Sequence, residues 1–214
     1  MNHMRQVDIF DPTEFDKVRV GVIGIGNIGS HVTLTLARMG IQNFILWDDD
    51  KVEEHNLSSQ AYGLDHLGKF KTDAVADQAV AFNKEIKFIT YPSKFELPLD
   101  TPVDIYVIGV DSLEARREIC AELLKLNTQP VIIDGRIGGE QLEVYTCTSA
   151  QEWEKTIPDK ASEEPCGARY IAYVSVMIGG IITAQVKKVL SGQDYPKSFL
   201  MNMGNYDTLK QHEW

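Results

Sequence analysis

A chain of 214 residues, 43% hydrophobic and 24% charged, has the balance of a globular protein and the length for one good core, which predicts a single domain over 1–214. Its formal net charge of −10 argues against nucleic acid, because duplex binding draws on lysine and arginine neutralising phosphates. No secretory signal opens the chain, and its most apolar run, residues 171–186, is shorter than the roughly 20 residues that span a bilayer, so the expectation is a cytoplasmic protein without membrane contact.

After a polar segment, Met1 to Lys17, the run VRVGVIG (18–24) reads as a buried strand and IGSHVTLTLARMG (28–40) as a helix that Gly40 terminates. FILW (44–47) is a second strand, KTDAVADQAVAFN (71–83) a helix, and IKFITY (86–91) a third strand. DIYVIGV (104–110) is a fourth strand, SLEARREICAELLKLN (112–127) a helix opened by Ser112, and PVIIDG (130–135) a fifth strand. Strands apolar on both faces, alternating with helices, predict an α/β, Rossmann-like and mostly parallel sheet with helices on both faces. LEVYTCT (142–148) follows without a helix between, so the far edge is expected to turn antiparallel. SAQEWEKTIPDKASEEPCG (149–167), acidic and without period, reads as a mobile loop. A core helix over 169–190, with Gly179 and Gly180 permitting close approach to another backbone, and a mixed tail complete the chain.

The chemistry begins at Gly24, Gly26 and Gly29, which spell GIGNIG between a strand and a helix. The first glycine allows a tight turn, the second removes a Cβ that would block a phosphate, and the third lets helix and strand pack closely. The helix N-terminus adds free N–H groups for an anion. Asp48, at the end of the second strand, is placed to take ribose hydroxyls. This much suits a nicotinamide-dependent oxidoreductase too. Asp50, Asn56, Gln60 and Lys71 in quick succession, with Asp111 at the tip of the fourth strand, suit a triphosphate better. Lys71 can neutralise phosphate charge, Asn56 can donate to a phosphate oxygen, and Asp111 can hold magnesium. The alternatives are that Lys71 charges the exposed start of a helix and that Asp111 caps one.

These motifs as a set, from RQVDIF (5–10) through the glycine loop, WDDDKVEEHNLSSQ (47–60), LGKFKTDAVA (67–76) and VIGVDSLEARREI (107–119), resemble the ThiF/MoeB/HesA adenylyltransferases, relatives of the ubiquitin-activating enzymes. The resemblance implies ATP and magnesium as cofactors. It gives Asp48 to ribose, Asp50 to the neighbourhood of the phosphates, Asn56 and Lys71 to the triphosphate and Asp111 to the metal. It further implies a homodimer in which Arg5 enters the partner's site. The implied reaction is adenylation of a carboxylate, such as the C-terminal glycine of a small ubiquitin-like or sulfur-carrier protein; a non-catalytic dimeric nucleotide-binding scaffold is the other outcome of the same fold.

Two departures stand out. Ser59 precedes Gln60 where relatives carry arginine, which makes Arg136, after the fifth strand, a candidate replacement cation; the alternative is a surface pair with Glu140. The zinc-binding CxxC pairs of many relatives are missing among the three cysteines. Cys166, beside Arg169 and a helix start, stands where some relatives hold a nucleophile and could ionise there, whereas Cys120 and Cys147 read as core.

Overall fold

The computed structural model describes residues 1–97, 101–159 and 171–212. Among the described residues, eight strands form one sheet: β1 (Arg19–Ile23), β2 (Asn43–Trp47), β3 (Lys87–Tyr91), β4 (Ile105–Ile108), β5 (Val131–Gly138), β6 (Gln141–Cys147), β7 (Ser198–Asn202) and β8 (Asp207–Gln211), in the order β3-β2-β1-β4-β5-β6-β7-β8. Pairing is parallel from β3 to β5 and antiparallel from β5 to β8, so the expected change of direction at the far edge is present.

Helices α1 (Gly29–Met39), α2 (Lys71–Phe82) and α5 (Ala172–Leu190) share one core with a sheet face that includes Val20, Val22, Phe44 and Leu46. Helix α3 (Leu113–Leu123) and the short α4 (Ala150–Glu154) cover the other face, around Trp47, Tyr106 and Ile132. Alternation along β1 explains the split, since successive side chains enter opposite cores. Gly40 ends α1 in the left-handed region at φ 104°, and Ser112 caps α3 by accepting from the Ala115 N–H at 3.0 Å. Helix α5 is apolar and long enough to cross a membrane by composition alone, yet Val174, Ile178, Ile182 and Val186 are fully buried against α1, β5 and β6. Gly179 makes that contact possible: a Cβ there would stand 2.8 Å from the Cβ of His31 on α1. Gly180 faces open space instead, so only the first glycine of the pair serves the close approach.

Two expectations need correction. Ser149 to Asp159 is not wholly a loop: Ser149 caps α4 by accepting the Glu152 N–H, and Trp153 is fully buried. A helix this short never completes a hydrophobic period, so its one anchoring side chain is easily read as part of an acidic loop. The tail, in turn, is a β-hairpin that adds β7 and β8 to the antiparallel edge.

One buried charge cluster ties β5 to the face that carries α3 and α4. Asp134 on β5, with no exposed surface, accepts from Arg116 Nε on Oδ1 at 3.1 Å. Its Oδ2 receives Arg136 Nε at 2.9 Å, Arg136 Nη2 at 2.7 Å and the Trp153 indole N–H at 3.0 Å. Burial opposes the charge on Asp134, but Arg116, Arg136 and Trp153 outweigh it and hold the carboxyl below its ordinary value of 3.8. A group depressed in this way stabilises the fold at neutral pH, and the contribution disappears as the pH falls below about 3.8. Asp134→Asn is therefore expected to cost about 3–5 kcal/mol at pH 7 and to flatten the acid limb of the stability curve, measured by chemical denaturation across pH with tryptophan fluorescence. An unchanged acid limb would refute the assignment.

Candidate nucleotide site

The strand order places a topological switch between β1 and β4, where crossovers leave to opposite faces and a crevice opens at the strands' C-terminal ends. A cleft of about 1250 Å³ lies there, lined by the glycine loop, residues 47–60, Lys71, the 109–116 turn and Arg136.

The three glycines do three different jobs. Gly24 sits at φ 86°, and a Cβ on it would meet the Val110 nitrogen at 2.8 Å. A Cβ on Gly29 would stand 2.0 Å from the Gly24 carbonyl oxygen, so this residue is required by the turn itself. Gly26 is different: a Cβ there would meet only the Gln60 amide nitrogen at 3.8 Å, which leaves the space a phosphate needs. The N–H groups of Gly26, Asn27 and Ile28 have no acceptor among the described residues, and they lie at the start of α1.

Asp48 braces this loop. Its Oδ2 accepts the Ile25 N–H at 2.6 Å and its Oδ1 the Asp50 N–H at 2.9 Å. Lys71, the first residue of α2, is only 6% exposed; its Nζ lies 2.6 Å from Asp50 Oδ2 and 4.0 Å from Asp48 Oδ1. It does not decorate an exposed helix start. Burial pushes the Asp48 carboxyl above its usual range, against the pull of Lys71 and of the two N–H donors. Asn56 is buried on the cleft wall, where its side-chain oxygen accepts the Glu53 N–H at 2.9 Å in a capping box. Asp111 is exposed on the opposite wall and does not cap α3, a role Ser112 fills.

The residues present fit a magnesium-bound triphosphate. The glycine loop has room and free donors, Lys71 is a fixed cation, and the carboxylates of Asp48, Asp49, Asp50 and Asp111 make an all-oxygen donor set. The ligand oxygens of Asp48, Asp49 and Asp50 lie within 4.8 Å of one another, so the acidic end of the cleft is denser in carboxylate than Asp111 alone provides.

Other expected site residues fall elsewhere. Arg5 is exposed and is not on the cleft wall of its own chain, although its neighbour Gln6 anchors the segment by donating to the Met39 carbonyl at 2.6 Å. Arg136 does reach the cleft, but its guanidinium is held by Asp134 and by the Thr156 carbonyl and hydroxyl at 2.9 and 3.0 Å. It has no pair with Glu140, which accepts from the Tyr173 hydroxyl instead. Cys166 lies outside the described residues. Burial raises the thiols of Cys120, to about 11, and of Cys147 further still, which leaves neither as a ready thiolate. Ser59 is buried, and its carbonyl meets His31 Nε2 at 3.0 Å. Arg116 is a cleft residue that the motifs do not single out; its only signal is its place five residues after Asp111 in DSLEAR (111–116).

The profile of the ThiF family matches residues 4–214. The chain belongs to the ThiF family. Curated relatives include ubiquitin-like modifier-activating enzyme 5 of Aedes aegypti, 33% identical over 133 residues that make up 52% of this chain and 34% of that protein. The Caenorhabditis elegans enzyme of the same name is 30% identical over 124 residues, 50% of this chain and 30% of that protein. The chain thus spans about a third of the length of these relatives. Among solved structures, Escherichia coli MccB with ATP superposes with a TM-score of 0.72 at 19% identity, over 94% of this chain and 65% of that one. PaaA superposes with a TM-score of 0.76 at 20% identity, again over 94% and 65%. At those identities the likeness establishes the ThiF fold, including the parallel core and antiparallel edge.

The two glycines should fail in different ways. Gly26→Ala is expected to keep the melting temperature and lose about tenfold or more in ATP affinity, whereas Gly29→Ala should lower the melting temperature outright. Thermal melts with and without ATP distinguish them, and equal effects from the two changes would contradict the geometry.

Proposed function

We propose that this chain uses ATP to adenylate the C-terminal carboxylate of a small protein or peptide, a ubiquitin-like or sulfur-carrier protein being the chemistry that fits best. The observation that carries the proposal is the buried Lys71 beside Asp48, facing a glycine loop whose N–H groups have no acceptor. A dehydrogenase would use the loop and Asp48 but has no evident need for Lys71 and Asn56 on the same wall. Support comes from the relatives' names, ubiquitin-like modifier-activating enzymes, and from MccB, solved with ATP and with the peptide MccA.

A carboxylate is already ionised at neutral pH, so no general base is required. Its oxygen bonds to the α-phosphorus while the α–β phosphoanhydride bond breaks, and the departing electron pair leaves with pyrophosphate. The residues contribute position and charge: the glycine loop and Asn56 hold the phosphates, Lys71 compensates charge, and Asp48 fixes the ribose. Asp111 on one wall of the cleft and the acidic 48–50 turn on the other are the carboxylates that would hold magnesium, which would supply positive charge for the phosphates.

The active unit in this reading is a homodimer, with Arg5 serving the partner's site. Arg5 is exposed on its own chain, and Tyr173, Val176 and Met177 line an exposed apolar face of α5. The buried Ser59, which leaves the family's arginine slot without a cation, favours a second reading: a dimeric scaffold that binds nucleotide without turning it over. ATP–pyrophosphate exchange with a carboxylate partner separates the two, because only the enzyme exchanges label.

Lys71→Ala should lower the exchange rate about a hundredfold or more, since it removes a charge-assisted contact and leaves Asp50 and Asp48 without their cation. Arg5→Ala and Asp111→Asn should each be inactive alone. A one-to-one mixture of the two, refolded together, should regain about a quarter of wild-type activity, because half the dimers then carry one intact site. No recovery on mixing would place Arg5 outside the partner's site.

A further inference from the structure

On the β5 side of the glycine loop, where Gly135 packs against Ile28, stands a wall unlike the acidic 48–50 turn. Arg116 and Arg136 both reach it, and both are anchored to the one carboxylate of Asp134. Arg116 is almost fully buried. It spends Nε on Asp134 and one Nη2 hydrogen on the Gly135 carbonyl at 2.9 Å, and makes a long 3.4 Å contact from Nη1 to the Ser112 carbonyl. A guanidinium has five N–H groups, so Arg116 keeps donors in reserve, whereas Arg136 has committed nearly all of its own. Glu143, the cross-strand partner of Arg136, accepts from the Tyr145 hydroxyl at 2.9 Å and adds its charge on the Arg136 side of the wall, which leaves Arg116 as the arginine with donors to offer.

The other cations on the cleft wall are less suited to hold a second anion. Lys71 is paired with Asp50, Lys51 lies over the Phe70 ring at 5.0 Å, and Lys94 is an exposed side chain 3.9 Å from Glu118. Two cations fixed by one buried carboxylate are preorganised; a flexible surface lysine is not. A reaction that brings a carboxylate up to a polyphosphate must hold two mutually repelling anions, and the phosphates already have the glycine loop and Lys71.

Resting on the adenylation reading, we propose that Arg116, positioned by Asp134 and flanked by Arg136, forms the subsite that receives the carboxylate to be activated. The guanidinium fork matches a carboxylate's two oxygens, and Asp134 fixes its orientation from behind. The ligand class is a free C-terminal carboxylate on an extended peptide tail. Arg116 then discriminates a chain end from an internal peptide, whose carbonyl has no charge to offer.

The test uses the wild-type protein, saturated with AMP, and a short peptide ending in Gly-Gly offered either as the free acid or as the C-terminal amide. Proton–nitrogen NMR reads the arginine Nε–H and tryptophan indole signals, assigned with Arg116→Lys and Trp153→Phe. The free acid is expected to shift the Arg116 and Trp153 signals with at least tenfold greater affinity than the amide. Arg116→Gln should remove that preference while leaving AMP affinity within about twofold. Equal shifts from acid and amide, or a preference that survives Arg116→Gln, would overturn the subsite. If Arg116→Gln does not fold, the comparison of acid with amide on the wild-type protein still decides. Failure of AMP to bind at all would instead sink the nucleotide reading, and the peptide arm, repeated without AMP, would judge the subsite separately.

Discussion

A lysine ammonium taken out of water is costly unless opposite charge meets it, and Lys71 is held in place by Asp50 at 2.6 Å and Asp48 at 4.0 Å. That arrangement joins three parts of the chain. Asp48 ends β2 and grips the glycine loop through the Ile25 N–H, while Lys71 opens α2 and returns its own N–H to the Asp50 carbonyl at 3.0 Å. The surface of the cleft beside the glycine loop is therefore set by one small ionic group rather than by the loop alone. Two carboxylates against one ammonium leave this end negative, and a polyphosphate entering it needs additional positive charge. Magnesium on the oxygen-rich 48–50 and 111 region, and an arginine from a second copy, are the sources the proposed reaction invokes.

The cleft has a second organising centre of opposite character. At Asp134 two arginines meet one fully buried carboxylate, and the indole of Trp153 completes its hydrogen bonding. Buried pairs of this kind add little stability over a well-packed apolar core, but losing one partner is expensive, because the charge left behind stays buried. What such a cluster secures is geometry. It ties the first turn of α3, the middle of β5 and helix α4 together on the side of the cleft where β5 packs against Ile28.

Much of the fold was legible because parallel strands buried on both faces produce continuous apolar runs, and GIGNIG between a strand and a helix has few other uses. Asp48, Asn56, Lys71 and Asp111 could be placed together because each follows the end of a strand or opens a helix on the same rim. The Asp134 cluster was not legible. Asp134 sits inside VIIDG, where a carboxylate before glycine looks like the end of a strand, and β5 in fact continues through it to Gly138. Besides Arg136 two residues on, its partners come from positions 18 residues before and 19 after, contacts that periodicity does not report. Helix α4 was missed for a related reason, since its stability comes from Trp153 rather than from its own length. The β7–β8 hairpin has short strands with mixed polarity, and β8 is exposed along its whole length, so no buried alternation marked it.

A crystal structure of the chain with magnesium and a non-hydrolysable ATP analogue tests the central claim most directly. The phosphates are expected within about 3 Å of the Gly26 N–H and of Lys71 Nζ, with Asp50 drawn away from Lys71 and the ribose on Asp48. Phosphates bound elsewhere, with the Lys71–Asp50 pair intact, would contradict the account.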